Sequence, residues 1–305
     1  MSLKSQGRIL LFGTNGQVGH ELLQTLAAVG EVVGLDRAAA DFSAPDSLRD
    51  HVTRTRPAVV VIAVAHTAVD RAESEADLAR SVNARAPEVI AEAAHEAGAA
   101  VIHFSTDYVY DGAKPSPYVE SDAADPLSVY GRTKLEGDLA VAAANSRHLI
   151  FRTSWVVSAR GSNFLKTMLR LGAERDALRV VADQHGAPTT ARLIAGVVAR
   201  AARIMLGALD TDPRWGVYHL VASGDTTWHG VASYVIGRAR ELGMPLKVTP
   251  SKIAAIATNE YPTPARRPQN SRMDTAKLRA AFGITLPDWK TGIDEVLAEL
   301  VAAAR

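Results

Sequence analysis

The sequence contains no cysteine. Disulfides, thiolate metal sites and a cysteine nucleophile are therefore excluded, and a reducing compartment fits. Net charge is nearly absent too: 34 Lys and Arg against 33 Asp and Glu leave +1. No chain-wide field draws the protein to nucleic acid or an anionic membrane, and no basic block or arm stands out. Long apolar runs are missing. None approaches the ~20 residues a membrane helix needs. The N-terminal run at residues 9–12 is too short for a signal-peptide core before Gly-Thr-Asn-Gly ends it. The expected location is the cytoplasm, and no nucleic-acid or membrane partner is expected. The opening Met-Ser-Leu is set aside as an expression scar. Internal repeats and low-complexity tracts are also lacking. What remains is 305 residues, 47% hydrophobic and 22% charged, enough for one large domain carrying a smaller lobe.

Short apolar runs alternate with longer helical patterns over the first half. "RILLF" (8–12), "EVVGL" (31–35), "AVVVIAV" (58–64), "AAVIHFS" (99–105) and "HLIFRTS" (148–154) read as strands. The run at 58–64 is apolar throughout, as in a parallel sheet buried on both faces. Helical patterns lie between the strands, including an Ala/Glu-rich one over 75–97 and another from about 128. This alternation implies right-handed crossovers and a doubly wound α/β sheet. Beyond residue 155 the rhythm loosens. Helices are expected at 162–173, 191–207, 228–243 and 290–304, and strands at 178–181 and 216–221. Prolines 262, 264 and 268 fix "YPTPARRPQN" as an extended loop. The expected division is a dinucleotide-binding core over 1–155 and a mainly substrate-binding lobe over 156–305, with some of its segments returning to the core sheet.

"LLFGTNGQVGHEL" places Gly13, Gly16 and Gly19 directly after the first strand and into a helix. Glycines there permit a tight turn and close approach of a pyrophosphate, whose charge the helix N-terminus favours. Asp36 follows the second strand, 17 residues after Gly19. Its carboxylate can accept hydrogen bonds from the adenosine ribose, which favours NAD. Arg37 beside it suits a 2′-phosphate, so NADH and NADPH both stay open.

"VIHFSTDYVYDG" (101–112) turns polar where the buried strand ends, and Tyr130 and Lys134 follow in "VYGRTK". Four apart in a helix, they project from one face. A tyrosine in water ionises near pH ~10, and a nearby ammonium is expected to lower that value. Such a phenol can give a proton to a carbonyl oxygen as hydride reaches its carbon. Thr106, at the ligand-binding end of the strand, can hydrogen-bond the same oxygen.

The glycine spacing plus Thr…Tyr-x-x-x-Lys resembles the extended short-chain dehydrogenase/reductase superfamily. Further stretches, "AHTAVDRAES", "FRTSWV", "NFLKTMLRL", "DQHGAPT", "YHLVASGDTTWH" and "YPTPARRPQNS", resemble one branch of it, the dTDP-4-dehydrorhamnose reductase family, across residues 10–271. The resemblance implies a Rossmann-type doubly wound parallel sheet with a smaller C-terminal α+β substrate lobe. It implies NADPH- or NADH-dependent reduction of dTDP-4-dehydro-β-L-rhamnose to dTDP-L-rhamnose, the last step in making an activated sugar for bacterial surface polysaccharide.

By position, Tyr130 would be the proton donor, Lys134 would tune it and hold the nicotinamide ribose, and Thr106 would orient the C4 carbonyl. Gly16, Gln17 and Val18 would lie at the pyrophosphate, Asp36 at the ribose, and Asp41 and Phe42 around the adenine. Ala65, His66 and Thr67 would line the cofactor, with a structural role the better reading for His66, and Asn83 would support the site. Asp107 and Trp155 match substrate-contacting positions, although Trp155 also suits a core. Arg267, in the proline-framed loop, could meet the diphosphate with a bidentate fork.

This chain departs from the family where Ile62-Ala63-Val64-Ala65 stands for a frequent Asn-Ala-Ala-Ala. Some members form homodimers bridged by Mg²⁺ on glutamates. Glu21 and Glu299 match two such positions, but Arg192 takes a third and would repel a metal. No metal site is therefore expected, and a homodimer is left open. The rival readings are another ketoreductase or nucleotide-sugar epimerase of the superfamily, and a non-catalytic NADP-binding regulatory subunit.

Overall fold

The structure is a computed structural model and describes residues 7–303; the opening tripeptide lies outside the described residues. The first half runs β1 (Arg8–Phe12), α1 (Gln17–Thr25), β2 (Glu31–Leu35), α2 (Leu48–Thr55), β3 (Val59–Ile62), α3 (Val69–Ala72), α4 (Ala76–Arg80), α5 (Ala86–Glu96), β4 (Ala100–Thr106), α6 (Val129–Ala144) and β5 (His148–Thr153). The second half runs β6 (Val156–Val157), α7 (Phe164–Glu174), β7 (Leu178–Val181), β8 (His185–Gly186), β9 (Thr189–Thr190), α8 (Ala191–Met205), β10 (Gly216–His219), β11 (Thr226–Thr227), α9 (Trp228–Glu241), β12 (Ile253–Ile256), α10 (Ala276–Phe282) and α11 (Trp289–Ala303).

Six parallel strands form the central sheet in the order β10-β5-β4-β3-β1-β2. Alternating side chains explain why β3 and most of β1, inside the sheet, are apolar on both faces. Ile9, Leu11, Val59, Val61, Leu149 and Phe151 point to one face, where α8 and α10 bring Ile194, Val198, Leu278 and Phe282. Leu10, Phe12, Val60, Ile62 and Ile150 point to the other, against Leu48, Val52, Ile90 and Val141 of α2, α5 and α6. A separate core belongs to the second half, built by α7, α9 and α11 around Leu165, Val235 and Ile293. Its only long strand contact is β7 with β12, register Leu178↔Ile253 to Val181↔Ile256.

The helix expected over 75–97 is wound differently in its middle. Residues Ser81–Arg85 form a π turn between α4 and α5. Pro87 has no N–H, so the Asn83 carbonyl loses its ordinary i+4 donor. That carbonyl instead abuts α6 at Gly137, where a Cβ would lie 2.1 Å from it. Local unwinding of this kind re-aims a side chain, here Asn83.

Candidate active site

The strand order reverses between β1 and β3, and the loops leaving these strands flank the crevice in which such sheets bind ligands. Gly13 turns out of β1 with φ +92°, and a Cβ on it would lie 2.5 Å from the Ala63 carbonyl oxygen. On Gly19 a Cβ would lie 2.0 Å from the Gly13 oxygen, so the loop closes on α1 only because both are glycine. Gly16 caps α1 with no side chain in attendance. The first amides of the helix are thus left for an anion. Val18 packs on the core. Gln17 turns away to the second half of the chain: its Oε1 accepts from Ser158 Oγ (3.0 Å) and Asn163 Nδ2 (2.8 Å).

At the adenosine end, Asp36 Oδ1 accepts from the amides of Ala38 and Ala39 (both 3.0 Å), and Oδ2 from Asn15 Nδ2 (3.2 Å). Arg37 is exposed beside it. Asp41 is exposed too, its carboxyl held below the usual range by the Ser43 hydroxyl and amide. Phe42 corrects the expectation of an open aromatic face for adenine. The residue is 4% exposed, its ring edge-on to Phe12 at 5.6 Å within the core, so the ring offers no open face. After β3, Ala65 and His66 are half-buried and Thr67 is exposed. His66 Nε2 meets Glu75 at 2.9 Å, the structural role allowed for it. Asn83 Oδ1 accepts from the His66 amide (2.7 Å), while Nδ2 donates to the His66 carbonyl (3.3 Å) and to Thr133 Oγ1 (3.1 Å). It ties the loop after β3 to α6.

β4 carries Thr106 to its last residue, paired with Thr153 of β5. Ser128 caps α6 by accepting from the Gly131 amide, so Tyr130 sits in the first turn and Lys134 one turn on. Tyr130, Thr106, Asp107 and Tyr108 come together. Tyr108 lies edge-on to Tyr130 at 5.5 Å. Thr106 Oγ1 donates to Asp107 Oδ1 (3.0 Å) and accepts from the Tyr108 amide (3.2 Å). Asp107 Oδ2 is buried and makes no well-aligned hydrogen bond.

The electrostatics reverse one expectation. Burial pushes the Tyr130 phenol up, only partly offset by the Thr106 hydroxyl, and Lys134 does not lower it. Lys134 is itself 1% exposed, and burial brings its ammonium down to about 8 against the favourable pull of Asp138. Burial likewise raises Asp107 to about 6, with the Ser271 and Thr106 hydroxyls offsetting part of the cost.

Trp155 has φ +48°, a conformation costly for a non-glycine residue and typical of functional sites. Its indole stacks on Trp228 at 3.7 Å between centroids and presses on Gly186, where a Cβ would lie 2.9 Å from the ring. Arg267 is a second correction. Its fork is already engaged by Asp70, at 3.1 Å (Nη1–Oδ1) and 2.8 Å (Nη2–Oδ2), so it clamps the proline-framed loop to α3 rather than standing open for a diphosphate. Arg192 lies between Glu21 (3.6 Å) and Glu299 (3.0 Å), pairing the carboxylates that would face a metal. Two surface cavities of about 370 and 430 Å³ lie away from Tyr130, around Arg200 and Trp289 and around Asp225 and Lys290.

Several contributors escaped the sequence reading. Asp70 and Trp228 act through partners distant in sequence, and no local pattern marks them. Asp138 was within reach, four residues beyond Lys134 on the same helix face.

A parallel sheet with a glycine turn after β1, and a hydroxyl-tipped β4 beside a helix bearing Tyr-x-x-x-Lys, defines a Rossmann-type protein of the short-chain dehydrogenase/reductase kind. The family model described as RmlD substrate binding domain matches residues 7–302. A dTDP-4-dehydrorhamnose reductase of Escherichia coli (strain K12) is 50% identical, the match covering 96% of this chain and 97% of the relative. The crystal structure of a dTDP-4-dehydrorhamnose reductase from Clostridium acetobutylicum superposes with TM-score 0.84 at 35% identity, covering 96% of this chain and 99% of that one. One from Bacillus anthracis, in complex with NADP, gives 0.84 at 31% with the same coverage. The chain belongs to the dTDP-4-dehydrorhamnose reductase family.

Proposed function

We propose that this protein reduces the C4 ketone of dTDP-4-dehydro-β-L-rhamnose to the alcohol of dTDP-L-rhamnose at the expense of NADPH or NADH. The observation that carries the reading is the meeting of Thr106 and Tyr130 at the end of β4, with Lys134 one helical turn beyond, in a chain half identical to named reductases. The uncapped N-terminus of α1 and the glycine turn suit a dinucleotide pyrophosphate. Bound there, a reduced nicotinamide supplies the hydride.

The protein's own residues handle the proton. Thr106 Oγ1 and the Tyr130 phenol converge on one oxygen. A buried, raised phenol is fully protonated at neutral pH, the state a proton donor must hold before the reaction. The carbonyl oxygen takes that proton as hydride arrives at C4. Lys134, brought to about 8, is a stronger acid than the raised phenol and can return a proton to the phenolate. Trp155 and the free Oδ2 of Asp107 face the sugar in this reading, and residues 156–305 mainly enclose the nucleotide-sugar. Arg267 would reach a diphosphate only by leaving Asp70. Asp36 is engaged by its own loop while Arg37 is exposed, which favours a 2′-phosphate and hence NADPH. The Arg37→Ala variant should raise KM for NADPH roughly tenfold and leave KM for NADH unchanged.

The test is stoichiometry. With dTDP-4-dehydrorhamnose, one NADPH should be consumed per ketone lost. Turnover with only catalytic cofactor would indicate an epimerase, and tight cofactor binding without turnover a regulatory subunit.

A further inference from the structure

Odd-numbered side chains of β4 point towards α6, and two of them, His103 and Ser105, are polar where Val101 is apolar. Both are buried, and so are Lys134 and Asp138 opposite them. Lys134 Nζ lies 3.3 Å from His103 Nε2. Asp138 Oδ2 accepts from Ser105 Oγ (2.7 Å) and Arg152 Nε (3.3 Å), and its Oδ1, otherwise unpartnered, faces His103 Nε2 at 3.7 Å. We propose that His103 and Asp138 are positioning residues for Lys134, holding its ammonium from behind and keeping it charged for its work on Tyr130 and the cofactor. The proposal deepens the Tyr130–Lys134 reading and rests on it.

The hydrogen-bond roles are forced. An ammonium has donors only, so His103 Nε2 must accept, which places the imidazole proton on Nδ1. Nδ1 is buried without a partner. Burial and the Lys134 charge both push the imidazole pKa down, so His103 is neutral and adds no second cation beside the ammonium. Asp138 is then the one anion of the group. The charged and titratable groups around the ammonium are Tyr130 and Asp138 on its own helix, His103 on β4, and Arg152 on β5 behind Asp138. Two cations face one carboxylate. The Asp138 charge itself raises the Tyr130 phenol, so the cluster keeps the proton donor loaded while it holds Lys134. Packing alone does not require such a group, because well-fitted apolar residues serve buried ion clusters as well or better for stability.

The test compares His103→Gln with His103→Asn. Glutamine places an acceptor near the Nε2 position and asparagine near Nδ1, and both are polar and no larger than histidine. We expect the Gln variant to keep most of the wild-type kcat and NADPH affinity. The Asn variant should lose roughly tenfold in kcat with little change in KM for the sugar, and should bind NADPH more weakly by fluorescence titration. Wild-type activity should fall as pH rises through about 8, and in Asp138→Asn that fall should move roughly one pH unit lower. Equal behaviour of the Gln and Asn variants, or an unshifted pH profile in a folded Asp138→Asn protein, overturns the proposal. The NADPH titration needs no turnover, so it tests the anchor even if dTDP-4-dehydrorhamnose proves not to be the substrate. Wild-type turnover in Lys134→Met would instead sink the Tyr130–Lys134 reading itself.

Discussion

Tyr130, Lys134 and Asp107 have their ionisation set by burial more than by one another. For Tyr130 this means a fully loaded acid rather than an acidified one. The identity and spacing of Tyr130 and Lys134 were legible in the sequence because a helix places i and i+4 side by side. The direction of the phenol's shift was not, because it depends on how much protein covers the ring. Asp107 gives a prediction with a definite sign. Its carboxyl is raised to about 6, so the folded state is favoured at low pH and loses that advantage as pH rises from about 4 through 6. The loss amounts to about 3 kcal/mol at neutral pH. Asp107→Asn avoids it. Thermal melts should show the variant more stable than wild type at pH 7.5 by up to about 6 °C, with the gap closing near pH 4, while reductase activity falls. An unchanged melting temperature at both pH values would count against a buried, strained carboxylate.

At the level of elements, the strands of the central sheet were readable from their short, mainly apolar runs, and their observed spans differ from the expected ones by a residue or two. The π turn at Ser81–Arg85 was not readable, because Ala- and Glu-rich composition supports a continuous helix and only the placement of Pro87 argues against it. The turn aims Asn83 at the loop after β3 and presses its carbonyl on Gly137. Gly137→Ala would force a Cβ to 2.1 Å from that oxygen. The variant should be destabilised by roughly 1–3 kcal/mol, measured by urea unfolding, although alanine ordinarily strengthens a helix. A stabilised variant would mean that α6 and the π turn are not in rigid contact. The proline-framed loop was legible as extended from its prolines, but its anchor, Asp70, lies nearly two hundred residues earlier and only folding brings the two together.

Across the whole molecule, Leu193 of α8 packs against both the core on one face of the sheet and the core of the second half, and the glycine loop is tied to the second half through Gln17. No helix among the described residues is long and apolar enough to cross a membrane. Arg192 between Glu21 and Glu299 makes the metal question testable at this scale. Addition of Mg²⁺ or of EDTA should leave the mass in solution and the reduction rate unchanged. A shift in mass on chelation would contradict the view that the guanidinium does the work of a cation there. Arg192 was visible in the sequence; its contact with both carboxylates was not, because α1, α8 and α11 converge only in three dimensions.

The most direct measurement is the single-turnover rate of Tyr130→Phe with bound NADPH and the 4-keto sugar. The phenylalanine ring keeps the packing on Tyr108 and removes only the hydroxyl. The rate should fall by about 10²–10⁴-fold while NADPH still binds. A Phe variant that reduces the ketone at the wild-type rate would show that the proton comes from elsewhere.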